Sequence, residues 1–290
     1  MTTAATADLV TAARAAGRGA AAFNVITLEH AEAITAAAEA AALPVILQIS
    51  ENAVAYHGGR LEPLLAGAAA VARAASVQVA LHLDHVQSEQ LLRAGVAAGA
   101  DSVMFDASRL AYGENVRATA RVTEWAHGHG VWVEAELGEV GGKDGAHAPG
   151  VRTDPVEAAA FVAATGVDAL AVAVGSSHAM TRRSARLDHP LIAALRTAVP
   201  VPLVLHGSSG VPDGELRQAV AAGVVKVNIG TALNVAFTAA VREQLAAQPA
   251  AVDPRRYLRA AREAMSGTAE HLLRVVAGEP ARLTTAADRA

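Results

Sequence analysis

The stretch Val79-Ala80-Leu81-His82-Leu83-Asp84-His85 ends an apolar run with a carboxylate and an imidazole. Such a run is typical of a parallel strand that is buried on both faces. An unpaired charge is costly to bury, so packing alone does not explain Asp84 and His85 at its end. A hydrogen-bonded Asp–His pair at the rim of a strand is one interpretation. An acid/base carboxylate beside a metal-binding imidazole is the interpretation that we favour.

Two further histidines, His178 and His206, follow apolar runs in the same way. Any one of the three is more often structural, but three at one rim indicate a shared centre. Three imidazoles with an open position are the usual catalytic ligand set of Zn²⁺. The chain has no cysteine, so a metal must be held by His, Asp or Glu. His82, inside the strand, is expected to make a hydrogen bond in the core.

A second pattern pairs Gly207-Ser208-Ser209-Gly210 with Asn228-Ile229-Gly230-Thr231 and resembles a phosphate cradle. Backbone N–H groups and small hydroxyls at the start of a helix bind phosphate, although an ordinary Gly/Ser turn explains the pattern equally well. A metal beside a phosphate site indicates a phosphorylated ketone whose carbonyl is polarised by the cation. The glycine-rich loop Gly138–Gly145 is long, which is typical of a functional lid, with a plain surface connection as the alternative.

Short apolar runs alternate with Ala-rich amphipathic segments, and these elements must position the polar residues. The predicted strands are Ala21–Ile26, Val45–Ile49, Val77–Leu83, Ser102–Phe105, Val131–Leu137, Ala169–Val174, Leu203–Leu205 and Val224–Ile229. The predicted helices are 29–42, 61–74, 88–98, 114–128, 154–164, 190–198, 213–222 and 231–246.

Eight β/α units predict an α/β protein with a single (β/α)8 TIM barrel, in which catalytic residues gather at the carboxyl ends of the strands. We predict one domain over residues 1–290. Its barrel covers about 20–246, and a C-terminal helical extension covers about 253–277.

The composition excludes several partners. The net charge of −4 lacks the basic excess that binding to nucleic acid or an anionic membrane uses. No secretory signal and no apolar run of about 20 residues is present. We therefore expect a cytoplasmic protein that binds neither nucleic acid nor membrane.

Ordered motifs at the predicted strand ends resemble, nearly from end to end, the class II (metal-dependent) fructose-bisphosphate and tagatose-bisphosphate aldolases. The motifs are Ala22-Phe23-Asn24-Val25, Val45-Ile46-Leu47-Gln48 with Ser50, His82-Leu83-Asp84-His85, Ser102-Val103-Met104-Phe105-Asp106-Ala107-Ser108, Val133-Glu134-Ala135-Glu136-Leu137-Gly138, Ala171-Val172-Ala173-Val174-Gly175 leading to His178, Val204-Leu205-His206-Gly207, Lys226-Val227-Asn228-Ile229-Gly230-Thr231 and Asp253-Pro254-Arg255.

The resemblance implies one Zn²⁺ per subunit, held by His85, His178 and His206, with Glu136 near an alternative metal position. It implies that Asp84 exchanges the proton of the hydroxyl at the aldol carbon. It also implies a monovalent cation near the glycine-rich loop and a homo-oligomer, either a dimer or a tetramer. The substrate-binding residues that it implies are Asn24, Ser50, Ala179, Gly207, Ser208, Ser209, Asn228, Ile229, Gly230, Thr231 and Arg255.

The expected reaction is reversible cleavage of a phosphorylated ketose, such as fructose- or tagatose-1,6-bisphosphate. Its products are dihydroxyacetone phosphate and an aldehyde such as glyceraldehyde 3-phosphate. Two positions depart from the family pattern: the lid loop lacks the family's glutamate, for which Asp144 is the candidate replacement, and Ala179 stands where the family has glycine. Two alternatives therefore stay open. One is a Schiff-base aldolase using Lys226, unless that lysine pairs with Glu134 or Glu136, and the other is a non-catalytic sugar-phosphate-binding subunit.

Overall fold

The computed structural model describes residues 3–137, 152–178 and 180–279. Eight parallel strands close into a barrel in the order β1 to β8, so each strand pairs with its neighbours in sequence and β8 pairs with β1. The predicted (β/α)8 barrel is confirmed. The strands are β1 Ala20–Asn24, β2 Val45–Ser50, β3 Val79–Val86, β4 Ser102–Phe105, β5 Trp132–Glu136, β6 Ala169–Ala171, β7 Leu203–Leu205 and β8 Val224–Ile229.

Helices surround the barrel, and a 3₁₀ turn at Ser208–Gly210 follows β7. None of the helices in the described ranges is long and apolar enough to span a membrane. The predicted C-terminal helix is present as α11. The helices are α1 Thr6–Ala15, α2 Leu28–Ala41, α3 Glu51–Tyr56, α4 Glu62–Ala74, α5 Glu89–Ala97, α6 Tyr112–His127, α7 Pro155–Thr165, α8 His189–Ala198, α9 Asp213–Ala222, α10 Thr231–Ala247 and α11 Pro254–Val276.

Two helices were not predicted. The first, α1, lies against the amino-terminal end of the barrel, where the Thr6 backbone N–H donates to Oδ1 of Asp101 at 3.0 Å. The second, α3, directly follows β2, and the Ser50 hydroxyl caps it by accepting from the Ala53 N–H at 3.2 Å. Both helices are short, so they gain their stability from contacts with the barrel rather than from a long periodic pattern.

The barrel interior changes from apolar to polar along its axis. Near the amino-terminal end, Ala22, Ile46 and Ala80 pack with residues of α1. Two residues further along β1 and β2, the side chains that point inward are Asn24 and Gln48, because strand side chains alternate with a period of two. The large apolar cluster lies instead between the strands and the outer helices. The fold therefore directs polar side chains towards the carboxyl-terminal rim.

Candidate active site

A cavity opens at the carboxyl-terminal end of the barrel, where the fold directs the polar side chains. Strand ends and following loops from six of the eight β/α units contribute to its wall. The residues that matter for its chemistry are Asn24, Gln48, Ser50, Asp84, His85, His178, His206, Gly207, Ser208, Ser209, Asn228, Gly230 and Thr231.

Three imidazoles converge in this cavity. The ring centroids of His85 and His206 lie 4.7 Å apart, and those of His178 lie 5.0 Å from His85 and 5.7 Å from His206. One nitrogen from each ring lies within 4.8 Å of the other two, which is the spacing of a shared cation site. Nε2 of His85 faces Nδ1 of His206 at 2.9 Å, so the two nitrogens share one proton or one cation.

The backbone turns sharply at His85 to aim its ring into the cavity. Its φ is +48°, in the left-handed region that non-glycine residues seldom adopt, and the pairing of β3 with β4 shifts register between Leu83 and Val86. Successive residues of a regular strand point to opposite faces, so this irregularity lets both Asp84 and His85 line the cavity. Strained backbone of this kind clusters at functional sites.

Carboxylates surround the imidazoles. Nδ1 of His85 hydrogen bonds with Oδ2 of Asp106 at 2.9 Å, and Glu136 lies with these two in a second group of possible metal ligands. Burial lowers the pKa of His85, but the charge of Asp84 and the hydrogen bond to Asp106 raise it to about 10. Burial raises the pKa of Asp106, whereas the bond from His85 and its positive charge bring that pKa below its usual range. The negative charges that favour an imidazolium also favour a bound cation.

Uncharged amides hold the Asp84 carboxylate in place. Nδ2 of Asn24 donates to Oδ2 at 2.8 Å, and Nε2 of Gln48 lies 3.4 Å from the same oxygen. Nδ2 of Asn228 approaches the other oxygen, Oδ1, at 3.3 Å. Asp84 is 3% exposed, so these donors replace water around a buried acid beside the imidazoles.

Lys226 is fully buried, and its Nζ donates to Oε2 of Glu134 at 2.8 Å and to Oδ1 of Asn228 at 2.7 Å. Lys226 therefore pairs with a carboxylate, which was the predicted alternative to a Schiff-base role. His82 is also fully buried and hydrogen bonds with Ser102, which confirms its predicted core role.

The predicted phosphate cradle also lines the cavity. At Gly207, φ is +66°, and a Cβ atom there would lie 2.6 Å from the backbone of Ser177, so the close loop approach requires glycine. Ser208 and Ser209 continue into the 3₁₀ turn beside the start of α10. Gly230, the N-cap of that helix, has no side chain to cap it, and Oγ of Ser209 accepts from the Ala232 N–H at 3.0 Å, so the start of α10 lies at the cavity beside the 3₁₀ turn.

Some predicted site residues lie elsewhere. Arg255 is an exposed residue at the start of α11, paired with Asp253 at 2.7 Å, and does not line the cavity. Ile229 is buried and does not line the cavity. Asp144 and Ala179, with the whole glycine-rich loop, fall outside the described residues.

Four residues of the cavity wall were missing from the predicted site: Ile26, Gln48, Asn52 and Asn234. Gln48 lies fully buried in β2, and its Nε2 donates to Oδ1 of Asn24 at 3.0 Å. A glutamine within the apolar run Val45–Ile49 was the available signal. Asn234 lies one turn into α10, where nothing in the sequence distinguishes it from an ordinary exposed helix residue.

A profile of the family described as fructose-bisphosphate aldolase class-II matches residues 4–279. The chain belongs to this family. It is therefore a class-II aldolase, a metal-dependent lyase, and the predicted resemblance is confirmed.

Relatives match this aldolase over most of its length. The fructose-bisphosphate aldolase of Thermus caldophilus is 41% identical over 285 residues, which cover 89% of this chain and 92% of the relative. That of Geobacillus stearothermophilus is 42% identical over 250 residues, or 85% of this chain and 87% of the relative. In three dimensions the YdjI aldolase of Escherichia coli K12 matches with a TM-score of 0.83 at 32% identity, covering 95% of this aldolase and 97% of that chain.

Proposed function

We propose that this aldolase reversibly cleaves a 1,6-bisphosphorylated ketose, with fructose 1,6-bisphosphate as the first candidate, to dihydroxyacetone phosphate and glyceraldehyde 3-phosphate. The observation that carries the proposal is the position of Asp84 beside three converging imidazoles, in a cavity that the residues of the predicted phosphate cradle also line. The named bacterial relatives are fructose-bisphosphate aldolases, which supports this substrate over tagatose 1,6-bisphosphate.

The donor set fits Zn²⁺, held by His85, His178 and His206. All three donors are imidazole nitrogens, which Zn²⁺ accepts readily, whereas Mg²⁺ and Ca²⁺ prefer oxygen ligands. The surrounding carboxylates, Asp106 and Glu136 among them, offset the positive charge of a divalent ion. When bound, the ion would act as a Lewis acid that stabilises negative charge on the ketone oxygen.

Asp84 is the proposed acid/base. In the cleavage direction its carboxylate accepts the proton of the C4 hydroxyl while the bond between C3 and C4 breaks. The bonding electrons pass to C3, which leaves the enediolate of dihydroxyacetone phosphate and an aldehyde at C4. In the condensation direction Asp84 returns the proton to the new hydroxyl. The amides of Asn24, Gln48 and Asn228 hold the carboxylate for this exchange.

The glycine and serine residues after β7 and the start of α10 are the proposed phosphate site. Backbone N–H groups near Gly207–Ser209 and at the start of α10 offer donors to the phosphate of the dihydroxyacetone half. The hydroxyl of Ser209 accepts from the Ala232 N–H at 3.0 Å, which ties the two loops together. Contacts of Ser50 and Arg255 with the aldehyde half, a monovalent cation and a homo-oligomer stay predictions.

The enediolate carbon must also gain a proton, and Asp144 remains the predicted donor. Replacing Asp144 by Ala should slow the exchange of the C3 proton of dihydroxyacetone phosphate with solvent, measured by NMR in deuterated buffer. Replacing Asp8, an exposed acid of α1, by Ala should leave the exchange unchanged. Unchanged exchange in the Asp144 variant would remove it from this role.

A cleavage screen tests the proposed function directly. Fructose 1,6-bisphosphate, tagatose 1,6-bisphosphate and the corresponding monophosphates are compared on one preparation whose zinc content is measured. We expect the highest kcat/KM with fructose 1,6-bisphosphate and close to one zinc per chain. Faster cleavage of the tagatose compound would reverse the substrate assignment, and equal rates with monophosphates would exclude a second phosphate site.

A further inference from the structure

A line of buried hydrogen bonds joins the candidate metal ligand His206 to the candidate acid/base Asp84. His206 Nε2 contacts Oε1 of Glu134 at 2.8 Å, and Lys226 Nζ donates to Oε2 of Glu134 at 2.8 Å. Lys226 Nζ also donates to Oδ1 of Asn228 at 2.7 Å, and Nδ2 of Asn228 faces Oδ1 of Asp84 at 3.3 Å. One ammonium group thus stands between the two halves of the site.

Glu134 decides which nitrogen of His206 carries the proton. A carboxylate oxygen only accepts, so its contact with His206 requires a proton on Nε2. The lone pair then lies on Nδ1, the nitrogen that faces His85, as a metal ligand requires. Nδ2 of Asn228 lies 3.1 Å from Nε2 but is itself a donor, so it does not compete for this proton.

Lys226 forms a buried ion pair with Glu134, at 2.8 Å between Nζ and Oε2. Both side chains are fully buried, where an unpaired carboxylate is strongly disfavoured. His82 Nε2 lies 3.9 Å from the same carboxylate. Burial, and then the Lys226 charge, lower the pKa of His82 well below its usual value, so this imidazole is neutral. The positive charge that compensates Glu134 therefore comes from Lys226.

We propose that Lys226 is a positioning residue that acts on both halves of the site. Its hydrogen bond to Oε2 fixes the Glu134 side chain where Oε1 accepts from Nε2 of His206, which holds His206 in the tautomer that binds metal. Its second hydrogen bond turns the Asn228 amide so that the NH₂ group faces Asp84. The inference rests on the proposed metal-dependent function and extends it to Lys226 and Glu134, which do not line the cavity.

Lys226→Met, Glu134→Gln and the double variant test this role through Co²⁺ affinity, measured by chelator competition, and the Co²⁺ absorption spectrum. We expect each single variant to bind Co²⁺ about 10–100-fold more weakly. In Glu134→Gln, the single side-chain oxygen must accept from both His206 and Lys226. In the double variant that oxygen is free to accept from His206 and no charge is left unpaired, so most of the lost affinity should return.

The recovered Co²⁺ affinity of the double variant distinguishes a positioning role from a general packing role. If the two substitutions only disturbed packing independently, their losses of Co²⁺ affinity would add. A double variant that binds Co²⁺ more weakly than either single variant would overturn the inference, as would wild-type affinity in Lys226→Met. Thermal unfolding identifies a variant that does not fold. In that case, the Co²⁺ affinities of the other single variant and the double variant are compared instead. Arg217→Met, at an exposed position of α9, should match the wild type. A wild-type protein that binds neither Co²⁺ nor Zn²⁺ would overturn the proposed function as well.

Discussion

Nδ2 of Asn24, at the end of β1, donates a hydrogen bond of 2.8 Å to Oδ2 of Asp84, two strands away on β3. The intervening strand β2 adds Gln48, which contacts both of these side chains. Three adjacent strands therefore hold one carboxylate. Amides do not titrate, so they fix its position without competing for the proton that it exchanges.

Replacing Asp84 by Asn should preserve the shape of the side chain but remove the proton acceptor. We expect kcat for ketose cleavage to fall about 10²–10⁴-fold. Zinc content should not change, because the three imidazoles remain. Steady-state kinetics and metal analysis on the same sample measure both quantities. Asp8→Asn, on the exposed face of α1, is the matched control, and undiminished cleavage by Asp84→Asn would refute the acid/base role.

Removal of the metal should abolish cleavage. We expect prolonged EDTA treatment to eliminate activity and added Zn²⁺ or Co²⁺ to restore it, since the three nitrogens form a site for such ions. His206→Ala should lose bound zinc, whereas His129→Ala, at an exposed position beside Trp125, should retain it. Full cleavage by protein that metal analysis shows to be free of metal would contradict the mechanism.

Gly207→Ala should destabilise the fold and weaken substrate binding. Its positive φ and the 2.6 Å approach of a Cβ to Ser177 lead us to expect a loss of about 1–3 kcal/mol in the free energy of unfolding. KM for the bisphosphate should rise. Gly214→Ala is the control, because its Cβ meets open space in α9, and its unfolding free energy should stay constant or rise by up to about 1 kcal/mol. Equal urea unfolding curves for the two variants would contradict the steric argument.

His30 should make stability sensitive to acid. Its Nδ1 lies 3.1 Å from Oγ1 of Thr27 at the start of α2, and its ring stacks on Phe237. Burial lowers the pKa of His30 more than Asn234 and Glu29 raise it. The stability that this residue contributes is therefore complete above its unfolded pKa of about 6.5 and is lost as pH falls through the lower folded-state value.

His30→Gln tests this dependence, because glutamine is favoured at this position of a capping box and does not titrate. We expect the wild type to lose more unfolding free energy than the variant between pH 7.5 and pH 5, measured by urea denaturation at each pH. Equal losses in the two proteins would show that His30 does not set the acid limit.

The sequence alone was sufficient to predict the barrel and most of the rim. Apolar runs and Ala-rich segments are local signals, and the observed strands Ser102–Phe105, Leu203–Leu205 and Val224–Ile229 agree with the predicted bounds. A closed parallel barrel brings every carboxyl-terminal strand end to one rim, so the residues after the strands were already the candidate site. His85, His178 and His206 were found in this way.

The direction in which individual side chains project could not be predicted from the sequence. Alternation along a strand would place Asp84 and His85 on opposite faces, and only the left-handed backbone at His85 brings both into the cavity. That conformation depends on a register shift against β4, which no pattern within β3 reveals.

The tertiary structure also decided the roles of polar residues that the sequence left equivalent. Glu134 and Glu136 are two residues apart on β5, yet Glu134 contacts His206 and Lys226, while Glu136 joins the second carboxylate group around His85. Residue types and their order determined which groups reach the rim. Which group meets which depends on the registers of eight strands closed into a ring, because those registers bring together side chains that are far apart along the chain.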